Sequence, residues 1–239
     1  MRVSLLQSEL KTSLAALKSN GLFKTERVLV SPQSSVISTD KFRDVLNFCS
    51  NNYLGLCSNE SIAKKASEGL LRGLGNGVSS AVSGRSTEER LLERELSDFY
   101  AKEDCLLYSS CFDVNESIFE SLLSESDTIV SDRMNHASII NGIRLSSAQR
   151  LLYAFNDPSS LLEKLQQVES SQRAKTIIVT DGVFSMDGEI AKLTEVIQHA
   201  KATNSLVMVD ECHGTGVVGR TGQGACEETN TFLSSFSFS

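Results

Sequence analysis

Two apolar runs, Thr176–Asp181 and Leu206–Asp210, constrain the fold of this chain most strongly. Both are aliphatic and β-branched almost throughout, and both end on an aspartate. A strand with one wet face alternates apolar and polar residues, whereas a strand buried on both faces does not. Ile190–Ala200, between the two runs, carries helical spacing. Strand, helix, strand at this spacing predicts parallel neighbours in a doubly covered sheet.

The same alternation runs upstream. A helix is predicted over 88–101, a short strand at Leu106–Ser109, an apolar run at Asp127–Ser131 and a helix over His136–Leu145. A strand follows at Arg150–Phe155, then a helix over Ser159–Val168 with Pro158 suited to its first turn. Near the N-terminus Leu6, Leu10, Leu14 and Leu17 have the spacing of an amphipathic helix. The first thirty residues hold five basic and two acidic side chains, which also admits a mitochondrial targeting segment. The expected class is α/β, a mostly parallel sheet covered by helices.

The 239 residues are 40% hydrophobic and 22% charged, a balance that fits a globular chain. A net charge of −7 argues against nucleic acid as a partner, because phosphate backbones demand clustered Lys and Arg. No apolar run reaches the roughly 20 residues of a membrane helix, so no membrane partner is expected. The six cysteines form no Cys-x-x-Cys pair and read as reduced thiols, and the compartment reads as cytoplasmic, or mitochondrial in a eukaryote. Three histidines without ligand spacing give no expectation of a metal site.

Ligands in parallel α/β sheets bind at the carboxyl ends of the strands. Polar residues gather there: Ser110-Cys111-Phe112, Asn135-His136, Asp181 to Ser185, and Asp210 to His213. A carboxylate at such an end can hold a pyridine ring nitrogen protonated, which suits Asp210. His213 lies on the same turn, and His136 comes from another strand end and can stack on a flat ring. Backbone N–H groups at Ser110-Cys111-Phe112, where a strand gives way to a helix, can hold phosphate. Asp210 is equally suited to cap a helix, His213 to sit in a loop, and Ser185 to be an ordinary turn residue. Gly214-Thr215-Gly216-Val217-Val218-Gly219 matches the dinucleotide fingerprint, but Arg220-Thr221-Gly222 is a poor helix opening. The glycines are expected to allow a tight, close-packed loop instead.

Four stretches together resemble the α-oxoamine synthases, pyridoxal-phosphate enzymes of fold type I (aspartate-aminotransferase-like). They are Asn47-Phe48-Cys49-Ser50-Asn51-Asn52-Tyr53-Leu54-Gly55-Leu56, Tyr108-Ser109-Ser110-Cys111-Phe112-Asp113-Val114-Asn115, Asn135-His136-Ala137-Ser138-Ile139-Ile140, and Thr180-Asp181-Gly182-Val183-Phe184-Ser185-Met186-Asp187-Gly188. The last three are most similar to the glycine C-acetyltransferase branch. The resemblance implies pyridoxal 5'-phosphate as cofactor, glycine and acetyl-CoA as substrates, 2-amino-3-oxobutyrate and CoA as products, a place in threonine breakdown, and a homodimer. It also implies that Cys111 and Phe112 hold the cofactor phosphate, that His136 stacks on the ring and lies near substrate, and that Asp210 meets the ring nitrogen. By the same resemblance His213 meets the ring hydroxyl, Ser185 sits beside the cofactor, and Asn51 lies near the glycine carboxylate, with His136 and His213 as the catalytic pair.

The pattern breaks in two places. The family's Schiff-base lysine follows the Asp-x-x-His motif, yet the last lysine here is Lys201. Ser80 and Glu89 stand where the family usually carries an arginine and a histidine. The expected organisation is an N-terminal helix and connecting segment over 1–45, a partial cofactor-binding large domain over 46–227 and a tail unlike the family over 228–239. The large domain is thus expected to be incomplete, its sheet ending on an unpaired edge, and the chain by itself inactive. Two other readings stay open: a non-catalytic subunit acting by dimerisation, or another α-oxoamine synthase such as 8-amino-7-oxononanoate synthase.

Overall fold

A computed structural model describes residues 2–71, 73, 75, 77, 79–168, 174–231 and 237–238. They divide into two units, Met1–Leu74 and Gly75–Ser239.

The first unit holds helix α1 (Arg2–Ser19), the antiparallel pair β1 (Val36–Ile37) and β2 (Val45–Leu46), and helix α2 (Glu60–Leu70). The leucine spacing gives the helix it predicts, and Leu6, Leu10, Leu14 and Leu17 are exposed along it. Asn59 caps α2 by accepting from the N–H groups of Ser61 and Ile62.

The second unit carries α3 (Ser80–Ser83), α4 (Thr87–Phe99), α5 (Cys111–Leu122), β3 (Thr128–Asp132), α6 (Ala137–Leu145) and β4 (Gln149–Tyr153). Then come α7 (Pro158–Leu165), β5 (Thr176–Asp181), α8 (Leu193–Thr203), β6 (Leu206–Asp210), α9 (Ala225–Glu228) and β7 (Ser237–Phe238). The sheet order is β4-β3-β5-β6-β7, and every pairing is parallel. The two apolar runs are thus neighbouring strands with the bounds that the sequence predicts.

Alternate residues of β5 explain the unbroken apolar run. Ile178 packs with Leu161, Leu165, Leu193 and Val196 from α7 and α8. Ile177 and Val179 pack with Phe119, Ile139 and Ile143 from α5 and α6. Both faces are dry, so both are aliphatic from Ile177 until Thr180 near the carboxyl end. On the second face α5 and α6 meet closely: a Cβ added at Gly142 would lie 1.9 Å from the carbonyl oxygen of Asn115.

Three expectations are corrected. Leu106–Ser109 forms no strand: the Leu107 N–H donates to Glu93 Oε1 at 3.3 Å rather than to a neighbouring strand, and Leu106 is exposed. The helix predicted from Ile190 begins at Leu193, because Ile190 returns to bridge Val183 and the Ala191 N–H donates to Gly182 O. The edge beyond β6, expected bare, is paired over two residues by β7. Among the described residues no helix is long and apolar enough to cross a membrane.

Candidate active site

Parallel pairing puts the carboxyl ends of β3, β5 and β6 on one edge of the sheet. Each ends on a buried aspartate: Asp132, Asp181 and Asp210. Asp181 and Asp210 are register partners. Burial pushes the Asp181 carboxyl up to about 8, with the charges of Asp210 and Asp132 adding to it and the His136 N–H opposing. Burial also raises Asp132, whose oxygens accept from the N–H groups of Met134 and Asn156 at 2.8 Å each.

Asp210 is held from three directions. Its Oδ2 accepts from Asn115 Nδ2 at 2.8 Å and from the Cys111 thiol at 3.5 Å, and its Oδ1 accepts from the Cys212 N–H at 2.9 Å. Cys111 opens α5, and Asn115 lies one turn further along the same face, so one helix supplies two of the three donors. Ser110 caps that helix by accepting from the Asp113 N–H at 3.1 Å. The N–H groups of Cys111 and Phe112 fall in the first turn, where a helix offers them no internal acceptor. The helix therefore brings an anion-binding end beside a buried carboxylate. The Cys212 thiol, hydrogen-bonded to the Cys111 thiol, desolvated and close to Asp210, is pushed up.

Asn115 also connects Asp210 to His136. Its Nδ2 donates to Ser138 Oγ at 3.0 Å, and that hydroxyl meets His136 Nδ1 at 2.7 Å. The Ser138 N–H donates to the same Nδ1 at 3.3 Å. Nδ1 is thus the acceptor and the ring proton sits on Nε2. Asp181 Oδ2 accepts from the His136 N–H at 2.9 Å, which fixes the histidine at the start of α6. The His136 ring stands edge-to-face with Phe112, centroids 6.4 Å apart. Asn115 Oδ1 is the one buried side-chain atom without a hydrogen-bond partner among the described residues. The amide is turned toward Asp210 and Ser138 at the expense of its own carbonyl.

The structure brings together Cys111, Phe112, His136 and Asp210. His213 is half-buried on the turn after Asp210. Ser185 is exposed in the turn following β5. Asn51 belongs to the first unit, where its Oδ1 accepts from the Tyr53 hydroxyl at 3.3 Å. Sequence reasoning placed Asn115, Ser138, Asn135 and Glu211 in its motifs or strand ends but gave them no role. Asn135 joins two strand ends: its Nδ2 donates to Ser131 Oγ and Val179 O, and its Oδ1 accepts from the Asp181 N–H. A four-residue spacing from Cys111 was the available signal for Asn115.

Glu211 explains the glycine-rich loop. Buried at 1% exposure, it accepts from the N–H groups of Ala225 and Cys226 at 2.9 Å each. A Cβ at Gly214 would lie 2.0 Å from its Oε2, and one at Gly224 2.3 Å away. No helix opens at Gly219, which has φ +86° and packs on Glu227. The loop is close-packed around an acid, not arranged as a dinucleotide cradle. Glu89 likewise has a local role, forming a capping box with Ser86 at the start of α4.

The donor set fits a phosphorylated pyridine. Uncommitted N–H groups at the start of α5 suit the phosphate, a buried carboxylate suits a protonated ring nitrogen, and an imidazole is fixed nearby.

Comparison with known proteins agrees. Residues 43–238 match the family described as aminotransferase class I and II. The chain is 42% identical over 220 residues to 2-amino-3-ketobutyrate coenzyme A ligase of Salmonella typhimurium, covering 92% of this chain and 55% of that protein. It is 40% identical over 223 residues to 8-amino-7-oxononanoate synthase of Petrotoga mobilis, covering 93% and 56%. Serine palmitoyltransferase from S. paucimobilis superposes with a TM-score of 0.84 at 25% identity, covering 93% of this chain and 56% of that one. The chain spans about half the length of the curated relatives it matches. With four-fifths of its residues inside the family match, this chain belongs to the aminotransferase class I and II family.

Proposed function

We propose that this sheet edge is the cofactor half of a pyridoxal-phosphate acyltransferase that joins glycine to acetyl-CoA, giving 2-amino-3-oxobutyrate and CoA. One observation carries the reading: Cys111, at the phosphate-binding end of α5, touches the buried carboxylate of Asp210, with Sγ 3.5 Å from Oδ2. The phosphate cradle and the ring-nitrogen partner are thereby held by one helix and one strand end. The names of the relatives support the substrates.

Cys111 and Phe112 bind the phosphate through backbone N–H groups aided by the helix dipole. Asp210 keeps the ring nitrogen protonated. When bound, the cofactor withdraws electrons from the glycine Cα, which lowers the cost of losing its proton. His136, its orientation set by Ser138 and Asp181, would stack on the pyridine ring and lie near the substrate. His213 would reach the ring hydroxyl from the Asp210 turn, with Ser185 alongside. The active form is a pair of chains.

Within these 239 residues no lysine follows Asp210, so this stretch by itself offers no amine there to tether the cofactor. It should bind pyridoxal phosphate without turning over. The test is a chimera in which the corresponding C-terminal part of the Salmonella ligase follows Glu227. The folded, cofactor-loaded chimera should release CoA from acetyl-CoA with glycine, and about tenfold or more slowly with alanine. A loaded chimera inert toward glycine, or preferring alanine with a longer acyl-CoA, contradicts the reading.

A further inference from the structure

The fold assembles a second ligand set that the spacing of residues along the chain conceals. Cys111 and Cys212 lie on different elements, yet both meet Asp210. One ligand atom from each of the three lies within 4.8 Å of the others. The Cys111 Sγ to Asp210 Oδ2 separation is 3.5 Å.

We propose that Cys111, Asp210 and Cys212 form a binding site for a thiophilic divalent cation, with zinc the best match.

Zinc binds thiolate at about 2.3 Å and carboxylate oxygen at about 2.0 Å, so a tetrahedron has a sulfur–oxygen edge of about 3.5 Å and a sulfur–sulfur edge of about 3.8 Å. The first edge is already present. The second requires the two sulfurs to approach by at most about 1 Å, given the 4.8 Å bound on their separation. The supporting groups are also in place. Asn115 Nδ2 donates to both Asp210 Oδ2 and Cys111 Sγ, and the Cys212 N–H holds Oδ1. Such outer bonds fix ligand orientation. Two thiolates and one carboxylate with a divalent cation leave one net negative charge. Both thiol protons pass to solvent on binding. Cys212 is exposed, which gives the ion an entry path and leaves the fourth position to water.

Asp210 is also the residue assigned above to the ring nitrogen. Cation and pyridoxal phosphate should therefore exclude one another, a corollary that rests on that reading while the metal site itself does not.

The experiment uses the reduced, cofactor-free 239-residue chain titrated with cobalt(II). One equivalent should bind with a sulfur-to-cobalt charge-transfer band, and zinc should abolish the band. Cys111→Ser and Cys212→Ser should each weaken binding about tenfold or more, while Cys57→Ser leaves it unchanged. On the unmodified chain, zinc should protect Cys111 and Cys212 from alkylation, read by mass spectrometry, and leave Cys57 reactive. The site is refuted by the absence of a charge-transfer band, by a band that survives both substitutions, or by protection of other cysteines only. A reduced chain that takes up no cobalt and closes a Cys111–Cys212 disulfide in air refutes it too. Adding pyridoxal phosphate separates the two readings. Displaced cobalt supports the exclusion. Cobalt retained beside bound cofactor removes it and counts against Asp210 as the ring-nitrogen partner, with the metal site intact.

Discussion

Asp181 and Asp210 are register partners at the same sheet edge, and both are 5% exposed, yet they are built for different work. Asp181 Oδ2 accepts from the main-chain N–H of His136, and its proton is retained up to about pH 8. Asp210 collects a side-chain amide, a thiol and a backbone N–H, all from groups flanking the start of α5 and the turn after β6. A carboxyl that keeps its proton positions a neighbour. An acid side chain given several donors is fixed in place, which suits the ring-nitrogen role proposed for Asp210. Burial alone does not separate a positioning acid from a binding acid; the source of its partners does.

The sharpest way to break that contrast is to move α5. Gly142→Ala puts a Cβ against the Asn115 carbonyl and forces α5 from α6. We expect a loss of about 1–3 kcal/mol or more in urea unfolding. Pyridoxal phosphate affinity should fall as well, since Asn115 and Cys111 move together. Unchanged stability would show that the helices separate without cost.

Asp210→Ala comes next. Removing a charge-assisted partner should weaken pyridoxal phosphate binding about ten- to a hundredfold, measured by absorbance titration. Ser110→Ala should cost about 0.5–2 kcal/mol in thermal or urea unfolding, through loss of the α5 cap.

The smallest expected effect on cofactor affinity is on the Asp181 side, whose contribution is read in pH dependence instead. Its folded pKa of about 8 lies above the unfolded value of about 4, so between these limits the folded chain binds more protons. The stability contributed by Asp181 is fully present below about pH 4 and is lost as pH rises toward 8. Asp181→Asn should flatten that slope while changing cofactor affinity by less than about threefold. A large affinity loss would make the two aspartates one binding unit and erase the distinction.

The strands were the most legible part of the chain. Thr176–Asp181 and Leu206–Asp210 were readable to the residue because two dry faces select aliphatic and β-branched residues along most of each strand, with the polar residues confined to the ends. Leu106–Ser109 has similar composition and no strand, because pairing depends on a neighbour that local sequence does not contain. Ile190 looked helical from its period, but its backbone is taken by the bridge to Val183. At the candidate site the motifs marked Cys111, His136 and Asp210. The hydrogen-bonded path through Asn115 and Ser138, and the meeting of Cys111 with Cys212, arise from packing between elements far apart in sequence. Such meetings have no local spacing to read.

The most direct test of the central claim is titration of the 239-residue chain with pyridoxal phosphate, followed by borohydride reduction and peptide mapping, alongside Asp210→Ala. Saturable binding that Asp210→Ala weakens at least about tenfold, with no lysine labelled, is the expected result. Binding that does not saturate, binding indifferent to Asp210, or a labelled lysine would contradict it.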